Sequence, residues 1–450
     1  MGFLKKYIAD KDYYRDILRV GIPLALTMLL QSCMSIVDSI MVSSIGMVTA
    51  VGNASNVLML HEGINWGIIS GIAVFASQFF GAGQEDNMSR TMGLCLLFTL
   101  GNSLLWVLVA YLFGESVLAF YLNDPDVLAN SLIYLRITVL SLIPGALNHT
   151  FTTMYKAMHN TRLPFVMSTG TAVLNIILNY YLIYIRKIGV AGAAYGTLIS
   201  ACASAVIYFV IAFKTRPIFF RSFREIFDIH AGFVKPVIIT FTPIIINETL
   251  FGFGSSLFNK AFGLLGTQPM DAYYVANQIF NLFLFAVWGF GGAASIMVGT
   301  TLGKGEIQRA QQEAKYQLGI GFGLGSFLSV IMVAFSPLFL HFFTIADTGT
   351  YAMAKSILYV FALKIFIRTF TYMMFSTLKA GGDSRIINLY DSGFMYLIGV
   401  PLAFLSVYLG VKNIAMVILI TQIEQLVRFV FTLRRYNSNV WARDLTVLVE

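Results

Sequence analysis

From about residue 17 to residue 433 the chain is a nearly unbroken succession of apolar stretches, roughly twelve of them, each some 20 residues or longer. A helix of ~20 residues rises about 30 Å, the thickness of the hydrocarbon of a bilayer. Inside that layer the backbone finds no water, so a segment of this kind folds as a helix that satisfies its own N–H and C=O groups. Charged residues are 12% and hydrophobic ones 57% of the 450 residues, whereas soluble domains are about a quarter charged. No polar block is long enough for a soluble domain. The fold class expected is an all-α integral membrane protein with about 12 transmembrane helices.

The remaining composition narrows the function classes. Cys33, Cys95 and Cys202 lie in apolar stretches without paired spacing, which predicts neither a disulfide framework nor a metal site. The first residues carry charges of both signs and lack a short apolar region with a cleavage site, so no removable signal is expected. The net charge of +8 is explained by where the cations sit. With the N-terminus in the cytoplasm, Lys5, Lys6, Lys11, Arg15 and Arg19, then Arg90, Lys156, Arg162, Lys214, Arg216, Arg221, Arg224, Lys304, Arg309, Lys315, Lys379, Arg385, Arg434, Arg435 and Arg443 fall on one side. The opposite loops hold only Arg186, Lys187, Lys355 and Lys412. This bias places both termini inside, in a multi-pass protein of the plasma (inner) membrane. No nucleic-acid partner is expected.

The two halves of the chain match at an offset of 220–223 residues. Gly21-Ile22-Pro23 corresponds to Phe241-Thr242-Pro243, Asn65-Trp66-Gly67 to Val287-Trp288-Gly289, and Gly81-Ala82-Gly83 to Gly303-Lys304-Gly305. Tyr155-Lys156-Ala157 corresponds to Leu378-Lys379-Ala380, and Ile188-Gly189-Val190 to Leu409-Gly410-Val411. With six spans between equivalents, the repeat predicts two six-helix bundles of parallel topology, related by a pseudo-two-fold axis along the membrane normal. The lobes expected are 1–213 and 234–433, joined by a cytoplasmic linker, 214–233, and followed by a cytoplasmic tail, 434–450. Two lobes about a central cavity supply what alternating access requires.

In full the chain resembles the MATE family, the multidrug and toxic compound extrusion transporters, from about Ile17 to Leu445. The carriers in the first half are Gly21-Ile22-Pro23 with Val37-Asp38, Phe79-Phe80-Gly81-Ala82-Gly83-Gln84, Leu174-Asn175-Ile176-Ile177-Leu178-Asn179 and Gly189-Val190-Ala191-Gly192-Ala193-Ala194. In the second half they are Asn247-Glu248, Val298-Gly299-Thr300-Thr301-Leu302-Gly303, Lys379-Ala380-Gly381-Gly382-Asp383 and Gly399-Val400-Pro401-Leu402. The resemblance implies a V-shaped pair of helix bundles exporting drugs or metabolites against Na⁺ or H⁺.

Acids inside spans are the residues able to carry such coupling. Asp38, Glu62, Glu248, Asp391 and Glu424 stand there, and each would cost about 2.5–3.5 kcal/mol if left charged in lipid. A shielded carboxyl can exchange a proton near neutrality or, with oxygen neighbours, hold Na⁺. Asn175 and Asn179, one turn apart, share a helix face. The resemblance implies that an acid at Asp38 works with the residues at 175, 179 and Thr197, and that Glu248 is a second cation-linked acid. It also shows a departure: position 179 is Asn where the best-known site has Asp. The alternative is that Asp38 only fastens helices, and that Glu248 pairs with Arg368 or Lys260. Glu62, Asp391 and Glu424 are candidates for the substrate cavity, the last two with Arg428 and Lys364 as possible partners. Adjacent His61 and Glu62 point about 100° apart and need not act together.

No Walker A, HExxH or GxSxG pattern occurs, and Gly321-Phe322-Gly323-Leu324-Gly325 lies within an apolar span, where close helix packing is the simpler reading. The expectation is therefore a monomeric secondary antiporter, not an enzyme. It would export small organic, amphipathic and often cationic compounds in exchange for H⁺ or Na⁺, with membrane lipid as its other partner and no cofactor. The alternative is a lipid-linked oligosaccharide flippase of the same superfamily, whose cations would be Arg136, Lys260, Lys364 and Arg368.

Overall fold

In the computed structural model the described residues are 6–122, 124–221, 223–341 and 347–448. Lys5 and the last two residues of the expected tail lie outside them. Twelve helices among the described residues are long and apolar enough to cross a membrane. They are α1 (Lys11–Ser43), α2 (Val48–Ala82), α3 (Glu85–Tyr121), α4 (Pro125–Ala157), α5 (Arg162–Ile185), α6 (Val190–Thr215), α7 (Ala231–Gly263), α8 (Thr267–Gly303), α9 (Ile307–Ala334), α10 (Thr348–Ala380), α11 (Ser384–Tyr408) and α12 (Ile414–Asn437). Several run past their apolar stretches, because polar residues at the interface continue the turn.

Local chemistry sets the ends. Asp124 accepts the Asp126 and Val127 N–H groups ahead of Pro125, and Asn413 accepts those of Ala415 and Met416, so each satisfies donors that the first turn leaves open. Asp347 does the same for Thr350, and also accepts the Thr350 hydroxyl and the Gln268 amide. These hydrogen bonds hold its carboxyl down to about 2.

The repeat read from the sequence is written into the backbone. Left-handed residues pair across the halves as Gly46 with Gly266, Gly83 with Gly305, His159 with Gly382 and Gly189 with Gly410. At the second pair the closing bonds also match: Gln84 N to Phe79 O, 3.0 Å, and Glu306 N to Thr301 O, 3.2 Å. A left-handed glycine there ends the helix and satisfies its last carbonyls.

Packing divides the chain into two compact units, residues 26–245 with 446–450 and residues 1–25 with 246–445. This departs from contiguous lobes. The opening halves of α1 and α7 are exchanged, and small residues explain how. In one unit Gly67 and Gly71 of α2 lie under Ile245 and Phe241 of α7, where an added Cβ would come within 2.4 and 2.2 Å of the neighbouring side chain. In the other, Gly289 of α8, the counterpart of Gly67, lies under Ala25 of α1 at 2.5 Å. Ile17, Val20 and Leu24 of α1 accordingly form a core with Ala293, Ile296 and Met297 of α8.

The expected tail is folded in. Trp441 is fully buried, stacks on Tyr436 and donates its indole N–H to Tyr436 O at 3.0 Å, with its own carbonyl against Gly381. Gly321 and Gly325 sit within α9, facing Met373 and Phe366 of α10, so that glycine-rich run is a helix-packing surface. Prolines act unevenly. Pro23 and Pro243 lie inside uninterrupted α-helical runs, while a 3₁₀ turn at Val139–Ser141 precedes Pro144 and a π turn at Met395–Gly399 precedes Pro401. Pro164 falls in the first turn of α5, where a missing N–H breaks no bond.

Candidate functional site

The structure brings Asp38, Asn175, Asn179 and Thr197 together within the 26–245 unit. Asn175 and Asn179 sit one turn apart on α5, and both are buried. The Asn179 amide donates to Asp38 Oδ1 at 2.8 Å and to Asn175 Oδ1 at 3.0 Å, and the Asn175 amide reaches Thr197 Oγ1 on α6 at 3.4 Å. Turning the Asn175 amide over places its nitrogen 3.0 Å from Asp38 Oδ1 and its oxygen 3.2 Å from Thr197 N, so both settings join the four residues. Asn179 Oδ1 is buried without a hydrogen-bond partner. It rests against Gly196, where a Cβ would stand 1.9 Å away. Gly196 is thus a residue that sequence reasoning missed; its signal is a glycine directly before Thr197 on the face that meets α5. Among the described residues no Lys, Arg or His lies within ion-pair distance of Asp38.

A second constellation lines a cavity of about 280 Å³ in the same unit, among α1, α2, α4, α5 and α6. Glu62 and His61 both reach it. The two side chains approach one another, with His61 Nδ1 3.3 Å from Glu62 Oε1. His61 Nε2 meets Ser103 Oγ at 3.2 Å, so this buried ring also ties α2 to α3. Lys156, expected at the cytoplasmic end of the fourth span, occupies the last turn of α4 and lines the cavity together with His149.

The second half holds its acids differently. Arg428 is buried on α12 and bonds Asp391 Oδ1 at 2.5 Å through Nη1 and Asp391 O at 2.7 Å through Nη2, which also contacts Glu424. Asn247 donates to Asp391 Oδ2 at 3.2 Å and accepts the Ser392 hydroxyl at 2.6 Å. Asp391 and Ser392 are presented on a π turn, Leu389–Gly393, which widens α11 there. Asp391 and Glu424 are therefore not free carboxylates in a substrate cavity. Arg428 pairs with both, and Arg368 adds a second cation beside Asp391. Lys364 pairs with neither; its ammonium stands 5.0 Å from the Phe280 ring centre and 5.1 Å from that of Phe361. Glu248 pairs with neither Arg368 nor Lys260. Arg368 turns instead to Asp391 at 3.5 Å and lies over Phe251.

The profile of the MatE family matches residues 23–181 and again residues 243–405, one match for each half of the repeat. The chain belongs to the MatE family. Among curated MATE relatives it is similar to a probable multidrug resistance protein, YoeA, of Bacillus subtilis, with 23% identity over 85% of this chain and 84% of the relative. A transporter of the same organism, YisQ, whose role is uncharacterised, is 23% identical over 96% of each chain. Among solved structures, an Asp-to-Asn mutant of the Vibrio cholerae MATE transporter VcmN superposes with a TM-score of 0.87 at 19% identity, covering 96% of this chain and 98% of the other. The fold is that of MATE transporters, and the protein is a multi-pass membrane transporter.

Proposed function

We propose that this MATE transporter is a secondary antiporter that exports small organic compounds from the cytoplasm, driven by an inward gradient of H⁺ or Na⁺ acting at Asp38. Support for efflux comes from relatives named for multidrug resistance. The observation that carries the coupling is that Asp38, inside a span, accepts the Asn179 amide, which is linked through Asn175 to Thr197, and is met by no basic side chain among the described residues. A carboxylate held this way keeps an open demand for a cation. A proton removes its charge; Na⁺ finds oxygen ligands in Asp38, an Asn carbonyl and Thr197. Asp391 and Glu424 differ, because Arg428 contacts both and Arg368 also reaches Asp391. Glu248 is a second candidate: no described residue lies within ion-pair distance of it, with Lys379 and Arg368 in electrostatic reach.

In the cycle proposed, a cation loads the Asp38 site from outside and favours the state that releases substrate outward; its release inward resets the protein. One charge crossing 100 mV supplies ~2.3 kcal/mol, roughly a fifty-fold solute gradient. Both termini lie in the cytoplasm and one chain is the working unit in this reading.

The test is uptake of a fluorescent organic cation into proteoliposomes under imposed ΔpH or ΔNa⁺. One gradient is expected to accelerate transport in the wild type, and Asp38→Asn is expected to abolish that acceleration. Transport indifferent to both gradients would remove antiport, and an Asp38→Asn protein with full gradient response would remove Asp38.

A further inference from the structure

The cavity in the 26–245 unit carries charges of opposite sign that do not meet. On α4, His149, Thr152 and Lys156 recur at intervals of three and four residues, which places them on one face, and all three line the cavity. Lys156 has neither a hydrogen bond nor an ion pair with any described residue. Glu62, from α2, has a side chain 41% exposed and is accompanied by His61. His149 lies within electrostatic reach of both Glu62 and Lys156, yet the two do not pair. Trp66, Met167 and Tyr208 also line the cavity.

Two unlike charges held apart in one small cavity select for a ligand with the same pattern inverted. A monocation satisfies Glu62 but adds like charge to a wall where Lys156 is already uncompensated. A monoanion satisfies Lys156 and faces Glu62. Like charges brought together in a desolvated site are strongly disfavoured, and complementary ones decide which partner is accepted. We propose that this cavity binds an amphoteric organic solute, its acidic group on Lys156 and its ammonium towards Glu62, with an apolar body against Trp66 and Tyr208. The volume of about 280 Å³ suits a solute with a single ring. The proposal rests on the transporter reading above and specifies its substrate class.

Equilibrium binding to the purified full-length protein tests it with three probes that share one body: phenylalanine, its methyl ester, a cation, and N-acetylphenylalanine, an anion. The wild type is expected to hold phenylalanine at least ~10-fold more tightly than either derivative, about one lost charge contact. Lys156→Gln is expected to bring phenylalanine to the level of the ester, and Glu62→Gln to bring it to the level of the N-acetyl compound. A wild type that binds the ester as well as phenylalanine, or shows no saturable phenylalanine binding, overturns the proposal. So do variants that leave the ranking unchanged. The wild-type ranking needs no variant, so a poorly folding mutant does not shield it.

Phosphatidylethanolamine carries the same pair of charges. Binding measured in nanodiscs of phosphatidylglycerol and then of phosphatidylethanolamine separates the sources: equal affinity supports the free solute, and loss in phosphatidylethanolamine alone assigns the site to the lipid headgroup and overturns it. Failure here leaves gradient-driven, Asp38-dependent transport standing. Conversely, a preserved ranking in a protein indifferent to ΔpH and ΔNa⁺ would remove antiport and keep the site.

Discussion

The carboxylates of Asp38, Asp391 and Glu424 are held inside spans in two settings, and their partners distinguish them. Asp38 is met by neutral amides, Asp391 and Glu424 by a guanidinium. The neutral setting depends on space. Gly196→Ala would drive a methyl into the Asn179 amide, 1.9 Å from its oxygen, and pull Asn179 off Asp38. We expect such a protein to fold with a loss of about 1–3 kcal/mol and to lose most of its gradient response, read by the same proteoliposome uptake. Arg428→Ala should act on stability instead, because it strands two buried acids; a loss of about 3–5 kcal/mol in detergent unfolding is expected. Adding Asp391→Asn and Glu424→Gln should recover much of it. The Asp38 set was legible through the family resemblance, which joined Asp38 to positions 175, 179 and 197; the residues alone showed an acid inside one span and two amides a turn apart in another. The pairing of His61 with Glu62 was not legible, because backbone spacing says nothing of how two side chains approach one another. Nor was the place of Lys156 in the cavity wall: a lysine at the end of a span reads as a cation of the membrane edge unless His149 and Thr152, on the same face, are counted with it.

At the scale of the elements, the twelve helices follow from apolar length alone, but their ends follow from a few residues outside that pattern. The caps at Asp124, Asp347 and Asn413, and the left-handed glycines, fix where each helix stops. Gly83 tests this cleanly. A Cβ there meets nothing within 4 Å, so Gly83→Ala should destabilise through the backbone alone, by about 1–2 kcal/mol, in thermal unfolding. Gly93 is the contrast, since its Cβ would fall 1.7 Å from the Ile226 carbonyl, a clash that no rotamer relieves. The recurrence of left-handed positions across the halves shows that the duplication read from five short matches extends to turn geometry. The π turns in α11 escaped notice, for they depend on how Asp391 and Ser392 reach Asn247 across the packing.

For the whole molecule, the distribution of Lys and Arg makes a claim about sidedness that labelling can check. With Cys33, Cys95 and Cys202 replaced, Lys187→Cys should react with a membrane-impermeant maleimide added outside intact cells, while Arg216→Cys should react only after the cells are opened. The count of spans was legible because each is a long local pattern. The exchange of helix halves was not, because it is a choice of partner between faces that look alike in sequence.

That exchange has a bearing on how the chain is made. Gly67 and Gly71 emerge early from the ribosome, yet the residues that cover them, Phe241 and Ile245, follow only after six spans have been synthesised. The first bundle therefore waits with an open seam until the seventh helix arrives, and the second is begun by a segment already threaded at the start. A nascent chain halted near residue 230 should be prey to quality-control proteases, and it should be rescued when the remainder is supplied as a separate polypeptide.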